Sequence, residues 1–276
     1  MNKERIAELT RIASEVRKDI IRMVGVARSG PVDAPLAIAD LLVYLYWEEL
    51  LVLADRQQRN DRDRFLSGSA NGTPALYAVL ARRGFFEREE LWHYKRLGAM
   101  LQPLPDFARV PGVDAPCVLS GSELSIAAGI MESLIRSGSE SRVYCLVGES
   151  DCGNLDFWLE AESIGAKKYG NMILLLVLRK GENAEPYPAA TAIYEKKFVE
   201  AGWDVNFADG HDFEEMAGTF AGLCEKGQGP KVVFISVKMG KGLSFAELSD
   251  AKYSKSLGAQ EMDRALEELE AESNGG

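Results

Sequence analysis

In the first part of the chain, apolar residues recur three or four positions apart, which is the spacing of an amphipathic helix. The first predicted helix covers residues 6–27, and Ser29-Gly30 ends it. A second apolar segment, residues 36–53, is rich in Leu, Ala, Tyr and Trp and favours a helix that is buried on most sides. After a loop rich in Ser, Gly and Asn, Pro74 opens another helix.

The middle of the chain has short runs that are apolar at nearly every position. These runs are residues 142–147, 172–178 and 232–237, and residues 154–168 suit a helix. Such runs are typical of strands buried on both faces, and helices between them favour a parallel sheet. We predict an α/β fold with a central parallel sheet covered by helices on both faces. Because we find no internal repeat or long linker, we expect a single domain over residues 1–276.

The predicted sheet also indicates where a ligand would bind. In sheets of this kind, ligands lie beyond the carboxyl ends of the strands. The segments that follow the predicted strands are residues 148–154, 179–188 and 238–244. We therefore expect functional side chains in these loops.

Composition and charge narrow the classes of function. The chain has 276 residues, of which 46% are hydrophobic and 27% charged, as in a soluble globular protein that buries a large core. It has no apolar run of transmembrane length and begins without a signal region. The net charge of −10 argues against a broad nucleic-acid surface. We expect a cytoplasmic protein with no membrane and no nucleic-acid partner.

Much of the negative charge lies in residues 250–276. Between the acidic residues, Met262, Ala265, Leu266 and Leu269 recur at helical spacing. The pattern predicts an acidic, amphipathic helical tail at the C-terminus.

The cysteines are scattered without a CxxC pair, which fits a reduced compartment. Cys145 lies in an apolar run and is predicted to be a core thiol. Cys152 is a candidate nucleophile, although no histidine is placed near it in the sequence to activate it. The remaining two are Cys117 and Cys224.

Short blocks of residues follow one another along nearly the whole chain. They are SG at 29–30, ADLL at 39–42, RDRF at 62–65, PALYA at 74–78, PGVDA at 111–115, VG at 147–148, GWDV at 202–205, DGHD at 209–212 and GKG at 240–242. In this order the blocks resemble those of transketolases. At this length the chain resembles the amino-terminal subunit of a split, two-chain transketolase. The resemblance implies the thiamine-diphosphate-binding (diphosphate-domain) fold.

The resemblance also implies a partner chain. In split transketolases, a second polypeptide supplies the pyrimidine-binding domain and the glutamate that activates thiamine diphosphate, and the site lies at a subunit interface. We expect a C-terminal transketolase-like subunit, in a heterodimer or heterotetramer, and a small phosphorylated or sugar-like substrate. Thiamine diphosphate is the cofactor that the family suggests.

The metal site of the family is altered in this chain. Family members hold the cofactor's diphosphate through Mg²⁺, with the Asp of a Gly-Asp-Gly motif and a later Asn, because a hard cation takes oxygen ligands. Here Gly148 is kept, Glu149 stands at the Asp position, and Ser150 stands at the second Gly, with Asp151 as a further candidate. Lys180 stands at the Asn position, and its ammonium cannot bind Mg²⁺. We expect no metal here.

Two interpretations of Lys180 stay open. In the first, its ammonium takes the place of the metal and pairs with Glu149 or with a bound phosphate. In the second, Lys180 is a solvated loop residue beside an empty site.

The family's histidines around the cofactor and the sugar are also replaced. Pro31, Asn71 and Leu104 stand at their positions, and Asn71 is a candidate polar residue of the pocket. His93 is expected to be a packing or surface residue, and His211 a structural residue of the 209–212 turn.

The family's Gly-Ser-Leu-Gly-Gln-Gly segment lets a helix N-terminus approach the cofactor. This chain has VLSGSE at residues 118–123, with Gly121 and Glu123 as candidate pocket residues. Glu123 adds bulk and negative charge near the expected diphosphate. It opposes binding there unless a cation such as Arg179 or Lys180 compensates.

Three functions stay open. The first is an amino-terminal subunit that works with a C-terminal subunit in a diverged ketol transfer or related carbon-bond reaction, on a sugar-phosphate-like substrate and without Mg²⁺-dependent binding of thiamine diphosphate. The second is an enzyme that has lost thiamine diphosphate and uses the pocket for other chemistry. The third is a non-catalytic scaffold subunit of a heteromeric complex.

Overall fold

The structure is a computed structural model that describes residues 1–52, 54, 61–68, 70–115, 121–180, 187–188, 190–223, 229–247 and 257–274. Its α-helices are α1 (Lys3–Ala27), α2 (Asp33–Ala37), α3 (Ala39–Tyr44), α4 (Thr73–Arg82), α5 (Glu123–Arg136), α6 (Leu155–Lys167), α7 (Thr191–Glu200), α8 (Phe213–Leu223), α9 (Ser244–Glu247) and α10 (Ala259–Asn274). Its strands are β1 (Arg64–Ser67), β2 (Val143–Gly148), β3 (Met172–Arg179), β4 (Asp204–Asp209) and β5 (Lys231–Val237).

The chain divides into two compact units. The first comprises residues 1–49, 70–112 and 238–276, and the second comprises residues 50–69 and 113–237. The expectation of a single domain over residues 1–276 stays a prediction. None of the helices in the described ranges is long and apolar enough to cross a membrane.

The second unit is built on a parallel sheet. In the described part of the chain its strand order is β1-β2-β3-β5-β4, and every neighbouring pair is parallel. Gly148 lies opposite Val177, and Arg179 lies opposite Val237, so the strands end at a common edge. The predicted α/β fold with a central parallel sheet is confirmed.

Both faces of this sheet are buried. On one face, Cys145 and Leu174 belong to a hydrophobic cluster with residues of α5, α6 and α7, such as Phe157. On the other face, Tyr144 and Ile173 are buried as well. Because side chains on both faces avoid water, β2, β3 and β5 consist of nearly continuous apolar residues, which is why the sequence predicts them.

The two outer strands, β1 and β4, are absent from the sequence prediction. β1 has only four residues, and four of the six residues of β4 are partly or fully exposed. An edge strand needs no continuous apolar run, so the pattern that identifies the inner strands does not detect it.

Two of the sequence blocks, RDRF at 62–65 and PGVDA at 111–115, hold β1 in place. The Asp114 carboxylate accepts a hydrogen bond of 2.9 Å from the backbone N–H of Phe65 and forms an ion pair of 2.5 Å with Arg62. The Asp63 carboxylate accepts from the backbone N–H groups of Leu51 and Arg142. These blocks therefore have a structural role in the second unit.

The first unit is helical in its described part. Its long helix α1 begins after Asn2, whose side chain accepts from the backbone N–H of Arg5 at 2.8 Å, and ends at Arg28, which has a positive φ of 48°. The prediction for residues 6–27 is confirmed. The predicted helix over residues 36–53 is wrong in its extent.

In place of one helix the structure has α2, α3 and a π-helical turn, Leu45–Glu49, and residues 50–52 are not helical. Residue 53 lies outside the described residues. The interruption falls at Ile38, whose backbone leaves the helical region (φ −101°, ψ 4°). Since Ile38 is apolar and neither Gly nor Pro, the sequence has no local signal for this break.

The predicted C-terminal amphipathic helix is confirmed as α10. Ala265 and Leu269 are fully buried, and Met262 lies against Gly25 of α1. Residues 250–256 and 275–276 of the predicted tail lie outside the described residues.

Candidate functional site

Most predicted site residues lie at the carboxyl ends of strands in the second unit or at the start of α5. Gly148 ends β2, and Lys180 directly follows β3. Because β2 and β3 are parallel neighbours, these two residues lie at the same edge of the sheet. The others are Glu149, Ser150 and Asp151, in a 3-10 turn after β2, and Gly121 and Glu123, at the start of α5.

Asp151 fixes the turn that follows β2. The backbone N–H of Gly148 donates to Oδ2 of Asp151 at 2.9 Å, and the Asp151 side chain is buried. Ser150 is exposed in the same turn. The turn is therefore held by a carboxylate that stands directly beyond the end of β2.

Glu149 contacts a phenol on α7. Its carboxylate lies near Tyr194, and burial, with a smaller effect of the negative charge of Glu149, raises the pKa of Tyr194. The Tyr194 ring is stacked on Trp158 with a centroid distance of 6.3 Å, and Nζ of Lys197 lies 4.4 Å from the centroid of the Trp158 ring. Glu149 thus belongs to a cluster formed with α6 and α7.

Lys180 has a different partner from the predicted Glu149. Its Nζ lies 2.6 Å from Oδ2 of Asp209, the last residue of β4, and both side chains are 30% exposed. The backbone N–H of Lys180 donates to the carbonyl of Val237 at 2.8 Å. Of the two partners considered for its ammonium, Glu149 is not the one found, because β4, which the sequence pattern does not predict, brings Asp209 to this edge. A bound phosphate as partner of Lys180 stays a prediction.

The turn after β4 uses its polar residues structurally. Oδ1 of Asp209 accepts from the backbone N–H of His211 at 2.9 Å, and Oδ1 of Asp212 accepts from the N–H groups of Glu214 and Glu215 at the start of α8. This agrees with the structural role predicted for the 209–212 turn. In the first unit, His93 is about half exposed, as predicted for a surface residue.

Glu123 is the most deeply buried acid of the candidate site, with 2% of its surface exposed. Its Oε2 accepts from the backbone N–H of Gly121 at 2.8 Å, while Oε1 has no hydrogen-bond partner among the described residues. Burial raises the pKa of Glu123, and the negative charge of Asp151 adds to this effect. Its side chain packs against Gly68, where an added Cβ would lie 2.5 Å from Cγ of Glu123.

Gly121 lies at a close approach between two segments. Its φ of +94° is in the region that favours glycine, and an added Cβ would lie 2.7 Å from Nδ2 of Asn154. The starts of α5 and α6 border a cavity of about 540 Å³. Its lining residues are Gly121, Ser122, Ser125, Asn154, Leu155, Asp156, Leu159 and Glu160.

The two described cysteines of the second unit, Cys145 and Cys152, are buried and are poor nucleophiles. Burial, with a smaller effect of the Asp151 and Glu149 carboxylates, raises the pKa of Cys152 to about 12, so its thiol is protonated near neutral pH. Cys145 is fully buried, which confirms the predicted core thiol. Cys117 and Cys224 lie outside the described residues.

Asn71 belongs to the first unit. It is exposed in a 3-10 turn, Ala70–Gly72, directly before α4. Within the described residues, no group of three or more His, Cys, Asp or Glu side chains is arranged to hold a metal ion. The expectation of a site without metal stays a prediction.

Sequence reasoning misses two residues of this region, Tyr194 and the Asp209 carboxylate as a partner of Lys180. Tyr194 lies within a helix that carries no motif, so no sequence signal identifies it. Asp209 has a signal, because it stands between a short apolar stretch and a turn, as a residue at the carboxyl end of a strand does.

The protein is therefore an α/β protein whose candidate site lies beyond the carboxyl ends of the parallel strands. Residues 9–274 match the family described as "Transketolase, thiamine diphosphate binding domain". The chain therefore belongs to the transketolase family, as its thiamine-diphosphate-binding domain, and the predicted family and fold are confirmed.

The relatives include separate subunits and longer enzymes. The chain is 27% identical over 274 residues to the 6-deoxy-6-sulfo-D-fructose transketolase subunit SqwG of Clostridium sp., covering 98% of both chains. It is 24% identical over 270 residues to an apulose-4-phosphate transketolase subunit of Phocaeicola vulgatus, covering 94% of this chain and 95% of that one.

Among solved structures, transketolase from Campylobacter jejuni has a TM-score of 0.83 at 21% identity. The similarity covers 98% of this chain and 43% of that one, so this chain spans less than half of that enzyme.

Proposed function

We propose that this chain is the amino-terminal subunit of a two-chain transketolase-type transferase. It works with a separate C-terminal subunit, on a sugar-phosphate-like substrate, in ketol transfer or a related carbon-bond reaction. One observation carries the proposal: relatives named as transketolase subunits match the chain over nearly their whole length, whereas a transketolase such as the Campylobacter jejuni enzyme is matched over less than half of its own.

We further infer that the subunit does not hold thiamine diphosphate through Mg²⁺. A bridging Mg²⁺ needs oxygen ligands, and the ammonium of Lys180 offers only donors. Lys180 is paired with Asp209, and its ammonium is therefore held at the carboxyl ends of β3 and β4. Glu123 adds a buried carboxyl group close to Asp151. This set of side chains does not fit a diphosphate bridged by a divalent cation.

The role that this geometry favours for Lys180 is binding an anionic group of the substrate. An ammonium has three donors, and among the described residues only Asp209 uses one. The side chain is partly exposed at the carboxyl edge of the sheet, where ligands of such folds bind. Asp209 orients the ammonium, and the other donors can meet a phosphate or carboxylate.

A second candidate is an enzyme that has lost thiamine diphosphate and uses the same edge for other chemistry. The buried Glu123 favours this candidate, because a carboxyl group at a helix start disfavours a phosphate ligand there, and its Oε1 has no hydrogen-bond partner in the described part of the chain. The two candidates differ in whether the assembled complex binds thiamine diphosphate under any condition.

The proposed function is tested by co-expressing the chain with candidate C-terminal transketolase-like chains from the same genome. We expect a stable complex on size-exclusion chromatography with light scattering, and ketol transfer among sugar phosphates by the complex but by neither chain alone. Glu149→Ala and Lys180→Ala in this chain should lower that activity. A chain that forms no complex contradicts the two-chain proposal, and full activity of both variants indicates a scaffold role.

A further inference from the structure

The N-terminus of α5 has the general properties of an anion site. The first N–H groups of an α-helix have no partner within the helix and carry a partial positive charge. α5 is 14 residues long and begins at Glu123. Free anions such as phosphate bind readily at positions of this kind.

In this chain, Glu123 itself occupies that position. Its side chain bends back, so that Oε2 accepts from the N–H of Gly121, just before the helix, at 2.8 Å. Burial is nearly complete, at 2% exposed, and Cγ and Cδ lie against Gly68, where even a methyl group would collide. At this end of α5, the side chain of Glu123 therefore fills the space beside Gly68 and takes the N–H of Gly121, which an anion bound there would otherwise use.

The surroundings of Glu123 do not stabilise a negative charge, as those of a structural carboxylate would. Oε1 is buried and has no hydrogen-bond partner among the described residues. The negative charge of Asp151 also acts on Glu123. A buried acid with an unsatisfied oxygen and a like charge nearby destabilises a protein, so its presence calls for a reason other than stability.

We propose that Glu123 is an internal anion that takes the place of a ligand phosphate at the N-terminus of α5 and so excludes diphosphates from it. The inference deepens the proposed function, on which it rests for the class of ligand that is excluded. The side chain of Glu123 excludes a diphosphate from this end of α5 by its volume, by its negative charge or by both.

The test is the binding of inorganic pyrophosphate to the purified full chain, measured by isothermal titration calorimetry at fixed ionic strength. Glu123→Gly and Glu123→Ala remove the charge and all or most of the volume, and Glu123→Gln removes the charge alone. Glu162→Gln removes the same charge from an exposed position on α6 and is the matched control. We expect Glu123→Gly to bind pyrophosphate at least tenfold more tightly than the wild type, and the control to bind like the wild type.

A gain in Glu123→Gly alone assigns the exclusion to volume, and a gain in both variants assigns it to charge. Circular dichroism and thermal unfolding establish that each variant is folded, and if Glu123→Gly does not fold, Glu123→Ala takes its place in the comparison. Wild-type protein that binds pyrophosphate as tightly as the folded variants overturns the proposal, as does the absence of any gain. Because the titration uses this chain alone, its outcome is independent of whether the two-chain complex forms.

Discussion

The ammonium of Lys180 lies 2.6 Å from a carboxylate oxygen of Asp209, and the pair links the carboxyl ends of β3 and β4. The strand between them, β5, contributes the carbonyl of Val237, which accepts from the N–H of Lys180. Since both side chains are 30% exposed, the ion pair contributes only about 0–1 kcal/mol to stability. Its importance lies in placing a cation at the edge where ligands of such sheets bind.

Lys180→Ala should therefore impair substrate binding more than folding. We expect kcat/KM of the two-chain complex to fall about tenfold or more, mainly through KM, because a lost charged hydrogen bond costs about 1.5–3 kcal/mol. The free energy of unfolding should change by less than about 1 kcal/mol. Lys196→Ala, at an exposed position on α7, is the control and should leave both quantities unchanged. Equal kinetics for the two variants would remove Lys180 from the site.

Glu123 should make stability depend on pH in a defined direction. Burial raises its pKa above the usual 4.5, so the folded protein binds this proton more tightly than the unfolded chain does. The stability that protonated Glu123 contributes is then fully present below pH 4.5 and is lost as pH rises through the raised pKa.

Glu123→Gln removes this titration. At pH 7 the variant should be more stable than the wild type by on the order of 1 kcal/mol, and the difference should shrink as pH falls toward 4.5. Urea denaturation across this range measures it, with Glu162→Gln as the control. A variant that is less stable than the wild type at pH 7 contradicts the interpretation of Glu123 as a destabilising buried acid.

Gly165 permits a close approach between α6 and the turn after α7. A Cβ at this position would lie 1.7 Å from the carbonyl oxygen of Ala201, which is backbone and cannot rotate away. We expect Gly165→Ala to lower the free energy of unfolding by about 2 kcal/mol or more. Gly129→Ala is the matched control, since nothing lies within 4 Å of its added Cβ, and should stabilise α5 by about 0.5–1 kcal/mol. Similar changes in both variants would contradict the packing of α6.

Cys152 should be chemically inert in the folded protein. Its pKa of about 12 leaves almost no thiolate at pH 8. We expect no alkylation of Cys152 by iodoacetamide in native protein and complete alkylation after denaturation, as measured by peptide mass spectrometry. Cys152→Ser should retain activity in the complex, and a loss of tenfold or more would assign the thiol a role in the chemistry.

The sequence predicts the inner strands of the sheet because a strand that is buried on both faces consists of consecutive apolar residues. In β3, seven consecutive positions, 172–178, are apolar, and this alone indicates a buried strand. β4 has no such run, since Asn206 lies between its few apolar residues and an aspartate stands at each of its ends. The blocks at residues 202–205 and 209–212 overlap the two ends of β4, but they do not indicate that it is a strand or where it lies in the sheet.

The sequence identifies the residues of the candidate site but not the contacts between them. Gly148, Glu149 and Lys180 are identified because they stand at the ends of predicted strands, and Glu123 is identified because it replaces a glycine of the family's segment. The partner of Lys180 depends on the strand order, which places β4 beyond β5 and is a tertiary property. The Oε1 atom of Glu123 has no hydrogen-bond partner within the described ranges, and this likewise depends on what surrounds it in space, not on its neighbours in sequence.

The central claim is that this transketolase-family subunit does not hold thiamine diphosphate through Mg²⁺. Its most direct test is a calorimetric titration of the purified two-chain complex with thiamine diphosphate, once with Mg²⁺ and once with a chelator. We predict that Mg²⁺ changes the affinity less than about threefold, which corresponds to less than about 1 kcal/mol. Binding that appears only with Mg²⁺, or is at least a hundredfold tighter with it, would contradict the claim.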